Sequence, residues 1–128
     1  MNDKENVAAL HLENELWKKE LVFYKDELQI LEKYLFEVNN KNVSKDARAE
    51  VEHYQNQLIL HKEVMDELVK EVKDHEKSIT YVSDQWHNVE IQKLKLDEHA
   101  DVKDRVKTQR EIYSELKHNF RSWLIQRL

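Results

Sequence analysis

The sequence contains no glycine, no proline and no cysteine. Ordinary proteins carry roughly 7% glycine and roughly 5% proline, so this chain lacks both the residue that best tolerates positive φ and the residue that breaks helices. Without glycine there is no phosphate-binding P-loop and no dinucleotide-binding fingerprint. Without cysteine there is no thiol nucleophile, no thiolate zinc site and no disulfide. These absences exclude several common classes of enzyme and predict a chain dominated by helix.

Long apolar runs are absent as well. No stretch approaches the ~18 apolar residues that a membrane-spanning helix needs, and residues 1–10 contain no apolar segment typical of a secretory signal. We therefore expect no membrane partner. A chain without cysteine suits a reducing compartment, so we predict a cytoplasmic location.

Charge is abundant but nearly balanced. Of the 128 residues, 37% are charged and 40% are apolar, and the formal net charge is −5. Residues 103–128 hold seven Lys or Arg against three Asp or Glu, a net charge of +4, which leaves −9 for the rest. Because acidic residues interrupt the basic segment, we expect no nucleic-acid partner. The composition is typical of long amphipathic helices and predicts a single all-α domain over residues 1–128.

Residues 7–38 follow a seven-residue repeat. Its successive a and d positions, which we call the seam, keep one stripe of side chains on one side of a helix. The seam residues are Val7, Leu10, Asn14, Trp17, Leu21, Tyr24, Leu28, Leu31, Leu35 and Val38. A second apolar row occupies the c positions, at Leu16, Phe23 and Ile30, with Tyr34 beside it. This apolar face is wider than a two-stranded contact requires, so we expect the helix to pack against two neighbours.

Two breaks divide the chain into three predicted helices, at about residues 3–39, 44–79 and 83–126. Residues 39–44 are rich in asparagine, which tolerates the left-handed conformation that ends helices, and Ser44 fits an N-cap. Residues 78–83 are hydroxylated or β-branched and favour helix poorly. Because both links are short, we predict an antiparallel three-helix bundle running up, down and up. The alternative is a helical hairpin with one very long second helix, covered by a second chain in a dimer.

The seam continues into the second and third predicted helices. It places His61 and His75 on core positions, where we expect buried histidines that fix how the helices align; the alternative is a proton relay or pH switch. Counting back from the first break puts His61 beside Tyr24 and His75 beside His11. The repeat is weak over residues 88–98, which we expect to be irregular, bent or loosely packed.

Three segments carry a resemblance to known proteins. Residues 23–28 (FYKDEL), 51–58 (VEHYQNQL) and 116–124 (LKHNFRSWL) look like segments of uncharacterised small helical bacterial proteins. That resemblance implies a helical bundle and no particular activity. In helix length, and in Trp17 of the first helix, the chain is also similar to spectrin-type three-helix repeats, which implies shape alone.

Two Glu-x-x-His motifs resemble half-sites of a carboxylate-bridged di-metal centre, because residues three apart present both ligands on one face of a helix. The motifs are Glu50–His53 and Glu115–His118, and Glu32 of the first helix falls near the same level. The motifs lie on the flank of the seam or outside it. We therefore expect no bound metal and no other cofactor.

The sequence predicts a non-enzymatic helical interaction or structural module. It offers no long loop and no nucleophile on a strained turn. A single three-helix bundle leaves large apolar side chains uncovered, so we expect a homodimer, with a different protein as the other possible partner. The expected interface residues are Leu16, Phe23, Ile30, Phe120, Trp123, Leu124 and Leu128. The competing function is a metal-carboxylate bundle protein with a redox or metal-storage role.

Overall fold

Three long helices make up the computed structural model, which describes residues 3–41 and 44–128. Helix α1 spans Asp3–Lys41, α2 spans Lys45–Val82 and α3 spans Val89–Ile125. A short 3-10 helix, Ser83–Gln85, follows α2, and the described residues form no β-strand. The predicted all-α bundle of three helices is confirmed. The alternative with one continuous second helix is wrong.

Contacts between the helices establish their directions. Between α1 and α2, low residue numbers meet high ones, as in the pairs His11–Glu76 and Lys25–Asp66. Between α1 and α3 the numbers rise together, as in the pairs Glu20–Arg110 and Glu27–Lys117. Helix α2 is therefore antiparallel to both of its neighbours, and the chain runs up, down and up.

The first link is capped as predicted. The Ser44 hydroxyl accepts a hydrogen bond from the backbone N–H of Ala47 at 3.1 Å, which satisfies one of the free N–H groups at the start of α2. Asp46 lies in the first turn, where a carboxylate interacts favourably with the helix dipole. Residues 42 and 43, in the predicted asparagine-rich break, lie outside the described residues.

The second link lies later in the chain than predicted. The hydroxyl of Thr80 donates to the backbone carbonyl of Glu76 at 3.0 Å, and that of Ser83 donates to the carbonyl of Thr80 at 2.9 Å. Both hydroxyls bond back onto the preceding turn, as Ser and Thr do within helices, and α2 continues to Val82. The chain turns over residues 83–88. Asn88 caps the next helix, and its side-chain oxygen accepts hydrogen bonds from two backbone N–H groups of α3.

Helix α3 is regular from its first turn, so the irregularity predicted for residues 88–98 is wrong over 89–98. The loose packing expected there is present. No residue from 89 to 98 is buried, and Val89 and Leu94 are 74% and 54% exposed. His99 is the first buried residue of α3.

The core follows the seam and divides into two apolar clusters. The main cluster joins all three helices, and several of its members are fully enclosed: Leu21, Leu28, Val38, Leu58, Met65, Val106 and Phe120. The smaller end cluster consists of Leu10, Ile79 and Trp86 and closes the end of the bundle that contains the second link. Polar side chains occupy the level between the two clusters.

Candidate functional site

A polar layer crosses the bundle between the two apolar clusters. At its centre, Nε2 of His75 on α2 lies 2.9 Å from Nδ1 of His99 on α3, and both side chains are buried. Nε2 of His99 lies 3.3 Å from Oε1 of Glu13 on α1. The ring of Trp17 packs against His99 with the ring centroids 4.7 Å apart. These contacts connect all three helices at one level.

The carboxylate of Glu13 determines which nitrogens carry protons. An ionised carboxylate only accepts, so neutral His99 carries its proton on Nε2 and accepts at Nδ1. His75 therefore donates from Nε2, and its own Nδ1 carries no proton. That Nδ1 lies 3.9 Å from Oε2 of Glu98. A proton that binds to Nδ1 of His75 therefore faces the carboxylate of Glu98.

Burial lowers the pKa of both histidines. For His75, the charge that His99 can carry lowers the pKa further, while Glu98 raises it. For His99, the hydrogen bond to Glu13 raises the pKa, but burial prevails and the net direction is downward. Both side chains are therefore neutral at neutral pH, because desolvation disfavours their charged forms.

Asn14 and Glu76 extend the polar layer between α1 and α2. The amide nitrogen of Asn14, a buried seam residue, donates to Oε2 of Glu76 at 2.6 Å. The other oxygen of Glu76 contacts Nδ1 of His11. The hydrogen-bond partner of His75 is His99, while His11, the residue predicted to lie beside His75, contacts the adjacent residue Glu76.

His61 is buried as predicted, although its hydrogen-bond partner comes from α3. Its Nδ1 accepts from the side-chain amide of Gln109 at 3.0 Å. Burial lowers the pKa of His61. Tyr24, the predicted neighbour of His61, is connected to it through the ring of Tyr113. The Tyr113 ring centroid lies 6.1 Å from that of His61 and 4.8 Å from that of Tyr24.

Helix α1 also presents an exposed apolar stripe on its outer face. It consists of Leu12, Leu16, Phe23, Ile30 and Tyr34, which we call the α1 stripe. The first four are 57–58% exposed and Tyr34 is 36% exposed. Steps of four and seven residues keep these side chains on one face of a helix. Three of the predicted interface residues therefore have the exposure that an interface requires, and Leu12 extends their row.

The interface residues predicted on α3 do not behave alike. Phe120 and Leu124 are buried in the main cluster, so their assignment to an interface is corrected. Trp123 is partly buried, and its indole N–H donates to Oε2 of Glu50 at 2.8 Å. Leu128 is 55% exposed.

The predicted metal candidates are not gathered into one site. The carboxylate of Glu50 accepts from Trp123 and also pairs with Arg127 at 2.7 Å, and the Trp123 hydrogen bond lowers its pKa. The other four candidates are exposed or half-buried: His53, Glu115, His118 and Glu32. Across residues 3–41 and 44–128, no group of three or more His, Cys, Asp or Glu is arranged to hold a metal ion.

Elemental analysis of protein purified without chelator is expected to show no stoichiometric iron, manganese or zinc. The reason is that Glu50 already has two protein partners. The result that contradicts this expectation is about two metal ions per chain, as a di-metal bundle holds, lost on Glu50→Ala or Glu115→Ala. Such a result would favour the metal-carboxylate function.

Comparison with known protein families, with curated proteins and with solved structures found no match. The resemblance to small helical bacterial proteins therefore stays a prediction. Among the described helices, none combines the length and apolarity needed to cross a membrane.

Proposed function

We propose that this protein is a non-enzymatic helical interaction module that associates with a second copy of itself through the α1 stripe. The observation that carries the proposal is the exposure of four large apolar side chains, each 57–58% exposed, in one continuous row. From residue 12 to residue 34 the row is about 33 Å long at ~1.5 Å per residue. Contiguous apolar surface of this kind is typical of interaction sites.

The energetics favour a dimer that depends on concentration. Burying the exposed half of a Leu, Ile or Phe side chain gains about 1 kcal/mol, so five side chains from each of two copies gain about 10 kcal/mol in total. Association costs about 4–15 kcal/mol in lost freedom of motion. The two magnitudes are similar, so we expect monomer and dimer to exchange as concentration changes.

The polar layer supports a structural role better than a catalytic one. His75 and His99 are 6% and 5% exposed, and their hydrogen bonds go to each other and to Glu13. A buried polar network of this kind specifies how helices align, as a single buried asparagine does in coiled coils. The cytoplasmic location predicted from the cysteine-free composition is part of the same proposal.

Light scattering at high protein concentration is expected to give about twice the chain mass of 15.6 kDa. Replacing Leu16 and Phe23 together with glutamate should shift the mass toward that of the monomer, because like charges would then meet in the contact. The matched control replaces Val89 and Leu94, two exposed apolar residues of α3, with glutamate. This control variant should have the same mass in solution as the wild type.

A monomeric wild type at high concentration would contradict the proposal, and so would a dimer that both double variants weaken equally. Replacing Trp123 and Leu124, two of the interface residues predicted on α3, with glutamate does not serve as this test. Leu124 is only 7% exposed, so a glutamate at that position disrupts the fold of one chain.

A further inference from the structure

The α1 stripe is bordered on one side by a row of glutamates that α3 already engages. These residues are Glu13, Glu20 and Glu27, seven apart in sequence. They contact, in the same order, His99, Arg110 and Lys117 of α3. The Arg110 guanidinium holds the pKa of Glu20 below its usual value. Arg110 and Lys117 therefore reduce the repulsion that Glu20 and Glu27 would exert on an approaching helix.

The opposite border of the α1 stripe carries charges that remain available. Lys19, Asp26 and Lys33 are also seven apart and all three are exposed. Within the described part of the chain, neither Lys19 nor Asp26 forms an ion pair. This row alternates in sign, positive, negative and positive, along the length of the stripe.

We propose that two copies of the chain join their α1 stripes in antiparallel orientation, centred on Phe23. The arrangement rests on the proposed self-association and specifies its geometry. Leu16 lies seven residues before Phe23 and Ile30 lies seven after it, so each Leu16 faces Ile30 of the other copy. Phe23 meets Phe23 of the other copy at the centre.

Charge complementarity is what selects the antiparallel orientation. When two helices pair antiparallel, the same border of each helix meets its counterpart, as e meets e and g meets g in antiparallel coiled coils. With Phe23 at the centre, Lys19 lies four residues to one side and Asp26 lies three to the other. Lys19 of each copy therefore comes level with Asp26 of the other to within about 1.5 Å along the axis.

A parallel pairing lacks this match. It places the Lys19–Asp26–Lys33 row of one copy against the glutamate row of the other, whose carboxylates already contact α3. Asp26 then comes level with Glu27, which carries the same sign of charge, and Lys19 comes level with Glu20, whose charge Arg110 already balances. The antiparallel pairing makes two symmetric Lys19–Asp26 contacts between residues that form no ion pair within the described part of the chain. It also brings Glu20 level with Glu27 of the other copy, but Arg110 and Lys117 reduce that repulsion.

The absence of cysteine from the chain allows a direct test by disulfide trapping. Leu16→Cys and Ile30→Cys proteins are mixed in equal amounts and oxidised, and the cross-linked peptides are identified by mass spectrometry. A disulfide needs Cα atoms roughly 4.4–6.8 Å apart, so the expected product is the mixed 16–30 cross-link, at least about fivefold more abundant than 16–16 or 30–30. The Leu94→Cys protein is the control, and its cross-linking gives the background that arises from random collision. Dominant 16–16 and 30–30 products would overturn the antiparallel arrangement.

The Phe23→Cys protein separates failure of the orientation from failure of self-association. It is expected to cross-link to itself in either orientation. Cross-linking of Phe23→Cys without the mixed 16–30 product would overturn the antiparallel geometry and leave self-association in place. Cross-linking no greater than that of Leu94→Cys, together with a monomeric wild type, would overturn both.

Charge reversal gives a second test that needs no cross-link. Lys19→Glu or Asp26→Lys alone places like charges at both symmetric contacts, and each is expected to weaken the dimer about tenfold at low salt. The double variant restores opposite charges and should return the dissociation constant to within about twofold of wild type. Because residues 19 and 26 are too far apart to pair within one helix, such rescue can come only from a second copy. Absence of rescue would overturn the proposed pairing.

Discussion

Replacing His75 and His99 together with leucine is expected to remove much of the acid sensitivity of this bundle's stability. Both histidines are buried and neutral, and Nε2 of His75 forms a hydrogen bond with Nδ1 of His99. Protonation in the folded state brings positive charge into a desolvated layer. When both members of a buried hydrogen-bonded pair are replaced by apolar side chains, no polar group of the pair is left unsatisfied. Glu13, the third member of the chain of contacts, is half-exposed and can be solvated.

The direction of the pH effect follows from the lowered pKa of each histidine in the folded state. In the unfolded chain each histidine takes up a proton near the ordinary histidine pKa of ~6.5. In the folded chain it takes up the proton only at lower pH. The stability contribution is therefore complete above that pH and is lost as the pH falls toward the folded-state pKa values. Each histidine contributes up to ~1.4 kcal/mol per pH unit within this window, so the pair contributes up to ~2.8 kcal/mol per pH unit.

Urea unfolding of the wild type and the double variant at pH 7.5, 6.5 and 5.5 checks this expectation. The free energy of unfolding should fall more steeply with acid in the wild type, and His61, which remains in both proteins, should account for part of the residual slope. Replacing the exposed His53 and His118 with leucine is the control and should preserve the wild-type slope. Equal slopes in the wild type and the His75/His99 variant would show that the pair does not control acid stability.

Replacing Phe120 with alanine is expected to cost about 3–5 kcal/mol of unfolding free energy, because a buried aromatic side chain is lost and a cavity remains. Phe120 is 0% exposed and packs against the rings of Tyr54 and Trp123, with centroid distances of 5.1 and 5.8 Å. The same substitution at Phe36, which is 64% exposed, should change stability by about 0.5 kcal/mol or less.

The measurement is the urea midpoint of each variant at low protein concentration, where self-association does not contribute. A small loss for Phe120→Ala, matching that of Phe36→Ala, would mean that the end of α3 does not pack as the structure shows. Light scattering tests separately whether the variant still self-associates. A folded Phe120 variant should retain the concentration-dependent dimer, because its side chain lies in the core of one chain.

The sequence predicts the fold well because the seven-residue repeat reports directly which side of each helix is buried. Leu21, Leu28, Leu58 and Val106 are all seam positions and all are fully enclosed. The prediction that Phe120 and Leu124 lie at an interface is wrong because apolar residues are present on more than one face at the end of α3. Periodicity alone does not show which of them the neighbouring helices reach, and the structure places both in the core.

The partners in the polar layer could not be predicted from periodicity. Which residue of α3 comes level with His75 depends on where the second link lies, and the structure moves that link to residues 83–88. His99 also follows a segment in which the repeat is weak, so its burial carried no signal. The seam positions of Asn14 and His75 were the sequence signs of the polar layer, and the exposure of Leu16, Phe23 and Ile30 follows from their c positions.

The polar layer also divides the stability of the bundle. The end cluster buries only Leu10, Ile79 and Trp86, and the adjoining residues 89–98 add no buried side chain. An apolar cluster of that size cannot hold its helical turns as firmly as the main cluster holds Leu28 and Leu58. We therefore expect two cooperative units of unequal stability. We expect the weaker unit, at the end of the bundle that contains the second link, to open locally while the rest of the molecule remains folded.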